Sequence, residues 1–146
     1  MRCSASVRRA SVWQCPRGAT SVEFAVMAVV LLSLLLGAIE IGRHMFTLEA
    51  LRTATAEAVR VVTLRGSANM IARVAPCTGL SGDLAGVGLR APFLNPGTLS
   101  MTMSGCATNA GITTVTVTVS HPFEFTVPLF GTPSLTLVET AQAVFN

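Results

Sequence analysis

Hydrophobic and polar positions follow three successive patterns along the chain. From Phe24 to Ile39 the run FAVMAVVLLSLLLGAI is unbroken by charge over sixteen residues. From His44 to Leu64 apolar residues recur at helical spacing, with Leu48, Leu51, Ala58 and Val62 on one face. Glu40/Arg43, Glu49/Arg52 and Glu57/Arg60 form three i,i+3 pairs on the polar side. Together these two patterns predict one helix from about Val22 to Arg65, roughly 65 Å long, with Gly66 as its C-cap stop. A second short helix is expected over 67–75, with Ser67 as N-cap and Pro76 ending it.

The third pattern has period two. Residues 77–111 are rich in Gly, Ser, Pro and Thr and read mainly as loops. Within them Leu99, Met101 and Met103 alternate with polar residues and predict a strand over 98–104. The clearest strand is ITTVTVTVS (112–120): Val115, Val117 and Val119 face one way, Thr114, Thr116 and Thr118 the other. Pro122 is expected to interrupt it, after which Phe123, Phe125 and Val127 alternate again. After Gly131-Thr132-Pro133, SLTLVETAQAV predicts a last strand. Short connections favour an antiparallel meander with one face on the helix. The expected fold class is therefore α+β: a long N-terminal transmembrane and amphipathic α-helix followed by a small antiparallel β-sheet domain.

The first run is long enough for a membrane. A bilayer core needs about 20 helical residues, and counting from Ala19 with Glu23 tolerated reaches that length. Ten of the sixteen residues are Leu, Val, Ile or Phe, which sums to on the order of −4 kcal/mol for insertion and outweighs one acid at the edge. The alternative, a buried core helix, would need a larger protein to wrap it.

Charge orients the span. All ten basic residues are Arg, and Arg2, Arg8, Arg9 and Arg17 precede it with no acid among them. From Ala19 onward six Arg face seven acids. The positive-inside rule places the N-terminus in the cytoplasm and residues 40–146 across the membrane. The basic pI belongs to the leader, so no nucleic-acid-binding surface is expected. A cleaved secretory signal fits the basic start but not the far end of the apolar run, because Gly37-Ala38-Ile39-Glu40 is not a small-x-small site.

At the head of the run Glu23 needs an explanation, since a carboxylate at a membrane edge requires a partner. Thr20-x-x-Glu23 fits a capping box, and an acid in a first helical turn suits the helix dipole. The whole junction, Arg17-Gly18-Ala19-Thr20-Ser21-Val22-Glu23-Phe24, resembles the processing site of class III type IV prepilins. In that family a prepilin peptidase cuts after the Gly on the cytoplasmic side. The resemblance implies cleavage between Gly18 and Ala19, which makes Glu23 the fifth residue of the mature chain. The family's Glu-[Phe/Tyr] pair is matched by Glu23-Phe24. The continuation Gly37-Ala38-Ile39-Glu40-Ile41-Gly42-Arg43, with its Ala-rich amphipathic extension, resembles the TadE-like pilus-assembly family. The resemblance covers residues 16–65; beyond that it is architectural. Unlike many relatives, this apolar run lacks a Pro, which implies a straighter helix.

Under that resemblance Glu23 acquires a second use. Cleavage frees an α-amino group, largely charged near neutral pH. In a bundle of such helices a neighbour's ammonium can neutralise Glu23, and the reverse. Capping and assembly both remain open for this residue.

Cysteine usage matches the orientation. Cys3 and Cys15 lie in the leader, while Cys77 and Cys106 remain with the outer part. In an oxidising compartment these two are expected to form a disulfide, closing a loop of about thirty residues for roughly 3–4 kcal/mol. A metal site would need His44 or His121, and neither sits at ligand spacing. No nucleophile elbow, zinc-protease motif or phosphate loop is present, so neither enzyme activity, a cofactor nor a small-molecule substrate is expected.

The chain is thus read as a leader (1–18), a transmembrane helix (19–43), a helical stalk with a short second helix (44–76) and an extracytoplasmic sheet domain (77–146). The resemblance implies a pseudopilin or minor pilin of a bacterial inner membrane, acting in assembly or anchoring of Flp-type tight-adherence pili. Its partners would be the membrane, the prepilin peptidase, other pilins or pseudopilins and pilus-assembly proteins. The alternatives are an uncleaved single-pass envelope protein with a periplasmic binding domain, and a secreted factor.

Overall fold

The structure is a computed structural model that describes residues 16–89, 91, 93–126 and 134–146, with the backbone alone for 16–19. Its elements are α1 (Pro16–Ile71), α2 (Leu80–Gly88), β1 (Ser100–Asn109), β2 (Ile112–Glu124) and β3 (Ser134–Phe145). The expected α+β order is what the chain adopts. Cys3, Cys15, Val127 and the Gly131-Thr132-Pro133 turn lie outside the described residues.

The chain divides into two compact units, one ending at Leu36 and the other spanning Gly37–Asn146. The first holds the apolar part of α1. Val22, Phe24, Val26, Met27, Leu31 and Leu34 are all more than half exposed. The most apolar eighteen-residue window of the helix has a mean hydropathy of 2.6 and is only 6% buried. A helix apolar on every side has no water-facing surface. This one is long and apolar enough to cross a membrane.

The second unit has a core between the outer half of α1, α2 and the sheet. Leu51, Ala54, Ala58 and Val62 bury one helix stripe, and Val115, Val117, Val119 and Phe123 bury one face of β2. Leu137, Ala143 and Phe145 complete it from β3. The predicted alternation therefore holds: the valines point inward and Thr114, Thr116 and Thr118 are half-buried on the other face. Sheet order is β1-β2-β3, both pairs antiparallel. Ala110 and Gly111, both at positive φ (48° and 83°), make the two-residue turn between β1 and β2, the geometry whose twist matches the flanking strands.

Five local expectations are corrected. The strand expected over 98–104 runs instead from Ser100 to Asn109. Gly66 does not stop α1; the helix continues to Ile71. It ends in a Schellman motif, with Val74 N–H donating to Asn69 O (2.9 Å), Arg73 N–H to Met70 O (3.0 Å), and Arg73 at φ 58°. The separate helix expected over 67–75 does not form, because its first residues belong to α1. A second helix forms instead at Leu80–Gly88, inside the stretch read as loops, burying Leu80, Leu84 and Val87. Finally, Pro122 does not interrupt β2, which runs on to Glu124 paired with β3. Partner β1 ends opposite Ser120, so beyond that point one side of β2 is an edge, where Pro is tolerated.

Gly66 has a packing reason to be glycine. It is buried, and a Cβ placed there would meet the Phe145 ring at 2.4 Å. Alanine is the better helix former by about 0.8–1 kcal/mol, yet overpacking of this kind costs about 1–3 kcal/mol. Gly66→Ala is therefore expected to lower stability in urea unfolding, and Phe145→Leu to relieve part of that loss in a double-mutant cycle. A stabilising Gly66→Ala would refute the contact.

Candidate processing and assembly site

At the N-terminal junction, Gly18 and Ala19 lie on helical backbone within α1. Pro16 suits a first helical turn, where its missing N–H is no loss. Because α1 already includes Pro16, Thr20 sits within the helix rather than at its N-cap. Glu23 and Phe24 are exposed, Phe24 at 75%. Among the described residues no cation pairs with Glu23. Its carboxylate stands one turn from the Gly18–Ala19 bond, at the head of the apolar surface.

The second unit shows what the other expected pairs do. Arg52–Glu49 (2.8 Å) and Arg60–Glu57 (3.5 Å) are exposed pairs along the helix, worth little individually. Glu40/Arg43 differs, and sequence reasoning missed its tertiary role. The Glu40 side chain is only 3% exposed. Its Oε1 accepts from Arg43 Nη1 (2.8 Å) and from the Thr126 backbone N–H (3.1 Å). Arg43 also donates to Thr126 Oγ1 and lies 5.6 Å from the Phe123 ring centroid. His44 meets the edge of that ring at 5.2 Å. This cluster clips the end of β2 to α1. Only the placement of an acid and an arginine directly after the apolar run hinted at it.

Cys77 and Cys106 are bonded, with Cα atoms 6.6 Å apart. The register of β1 shifts between Ser104 and Ala107, with Gly105 at φ 69°. Such a bulge re-aims a side chain at a strand edge, and here it re-aims Cys106. On the other side Asn69 Nδ2 donates to Pro76 O (3.1 Å) and Thr78 O (2.9 Å), fixing the turn that carries Cys77. Arg65 of α1 reaches Asp83 of α2 at 3.3 Å.

His121, near the end of β2, has a lowered proton affinity. Burial pushes its pKa below the usual 6.5, against an opposing hydrogen bond to the Pro122 backbone. Unfolding raises that pKa back, so the unfolded chain takes up more protons. The stability His121 contributes is present above pH 6.5 and is lost as pH falls through the lower folded value. A modest drop in melting temperature between pH 7 and pH 5 is expected, and His121→Gln should reduce it. An unchanged pH slope in that variant would contradict the assignment.

No three potential ligands among His, Cys, Asp and Glu cluster as a metal site among the described residues. Residues 18–60 match the family model described as TadE-like protein. No curated protein and no solved structure matches the chain. The match begins at Gly18, takes in Glu23 and Phe24, and ends on the sheet-packed part of α1.

Proposed function

We propose that this TadE-like chain is a pseudopilin or minor pilin of a tight-adherence pilus system, inserted N-in into a bacterial inner membrane and cut by a prepilin peptidase between Gly18 and Ala19. The observation that carries the reading is Glu23, an exposed acid heading an apolar helix with no counter-charge among the described residues. The family match over residues 18–60 supports it. Cleavage would supply a positive α-amino group on each copy, and helix packing would bring one copy's ammonium to another's Glu23.

The sheet-bearing unit lies outside the inner membrane in this reading. There the Cys77–Cys106 bond suits an oxidising compartment. The protein performs no catalysis of its own. It acts with other pilins and assembly proteins in building or anchoring Flp-type pili, and its outer unit limits or caps polymerisation.

Removing the protein from its bacterium should abolish surface pili while leaving processed major pilin in the inner membrane. Re-expression of the full chain should restore the fibres. Normal fibres without it would overturn the proposal. Deleting residues 77–146 is a poorer test, because it also strips the cover from Leu51, Ala54, Ala58 and Val62.

A further inference from the structure

Among its described residues the second unit exposes an aromatic pair. Phe46 on α1 and Phe93, in the segment between α2 and β1, meet edge to face with centroids 5.0 Å apart. They are nevertheless 55% and 81% exposed. Phe93 holds its position at φ 64°, a left-handed backbone that a bulky side chain rarely adopts. Ile41 and Met45, 62% and 56% exposed, are further exposed apolar residues on the same stretch of α1. Water gives such a patch no return for its strain and exposure.

Its place in the chain identifies the occupant. The twenty residues Val22–Ile41 make about 30 Å of helix, the thickness of a bilayer core. Phe46 then falls about 7 Å past the core, in the headgroup layer that adds several ångströms on each side. Trp and Tyr concentrate at that level, and Phe is used with Trp and Leu on apolar faces that bed at the headgroup–acyl boundary. The Glu40 contact to the Thr126 amide also holds the end of β2 against α1 at the close of the apolar run. Along the sequence of α1, exposed apolar residues continue from the membrane-length segment through Ile41 into Met45 and Phe46.

We infer that Phe46 and Phe93 form an interfacial anchor that beds the sheet-bearing unit on the phospholipid headgroup layer. The inference rests on α1 crossing the membrane but not on cleavage at Gly18.

The test uses the full chain in phosphatidylcholine vesicles, with Trp13→Phe removing the only native tryptophan. Single tryptophans are placed by Phe93→Trp, by Val30→Trp mid-helix, and by Leu64→Trp on an exposed outer position. Lipids brominated at shallow or deep acyl positions serve as quenchers. Phe93→Trp should lose about half its emission to shallow bromines and less to deep ones, Val30→Trp should show the reverse, and Leu64→Trp should be unaffected. Quenching at Val30 without quenching at Phe93 overturns the anchor alone. No quenching at Val30 removes the membrane span and the anchor with it. A Phe93→Trp emission that ignores bromine but shifts with protein-to-lipid ratio would show a second copy on the patch, and also overturns it.

Discussion

Replacing Glu23 by Ala is expected to leave the protein in the membrane and to abolish surface fibres. Insertion should not suffer, because the change removes the only charge between Ala19 and Ile39. Assembly should fail, because each copy would bring a buried ammonium with no acid to meet it. Breaking one side of a buried ion pair costs about 3–5 kcal/mol, roughly two to four powers of ten in the equilibrium for adding one subunit. Glu49→Ala is the matched control. Glu49 pairs with Arg52 at 2.8 Å on an exposed helix face, a contact worth at most about 1 kcal/mol. Electron microscopy of cells expressing each variant should show fibres for Glu49→Ala and none for Glu23→Ala.

Removing the disulfide should be the most destabilising change in the second unit. The Cys77–Cys106 bond spans 29 residues, worth about 3–4 kcal/mol by loop closure. A small domain has about 5–15 kcal/mol in total. The bond is well placed to matter, since β1 is an edge strand held only by β2 within the sheet. The enclosed segment with α2 is otherwise held by Leu80, Leu84, Val87 and Leu94 in the core and by the Arg65–Asp83 pair. The double variant Cys77→Ser with Cys106→Ser should melt roughly 15–25 °C lower by circular dichroism. Adding reductant to the native chain should reproduce the shift. A melting point unchanged by both treatments would mean the bond adds nothing to the fold.

Legibility in the sequence followed the range of each interaction. The Val/Thr alternation over 112–120 announced β2 because period two is a local property, and the sheet order followed from short connections. The outer face of α1 was visible for the same reason. Gly66 was misread because its partner, Phe145, lies at the far end of the chain; glycine in a helix reads as a stop until that ring is placed. The short helix α2 was hidden by Gly82, Gly86 and Gly88, although Leu80, Leu84 and Val87 carry helical spacing. Continuation of β1 past Ser104 was masked by Gly105, which the bulge absorbs. Glu40 was legible as an ion pair but not as a tertiary clip, since its second donor is a backbone amide.

The candidate site divides in the same way. Gly18, Ala19, Glu23 and Phe24 form a contiguous motif, so sequence alone could name them. In the proposed function, what they do depends on a charge that cleavage would create. The structure contributes the exposure of Glu23 and the helical backbone that carries Gly18 and Ala19.

The most direct measurement is the first residue of the protein purified from pilus-forming cells, read by N-terminal sequencing or intact mass. Ala19 is expected, with the preceding eighteen residues gone. Met1 on protein from fibre-bearing cells would contradict the account, since Glu23 would then have no liberated amine to meet.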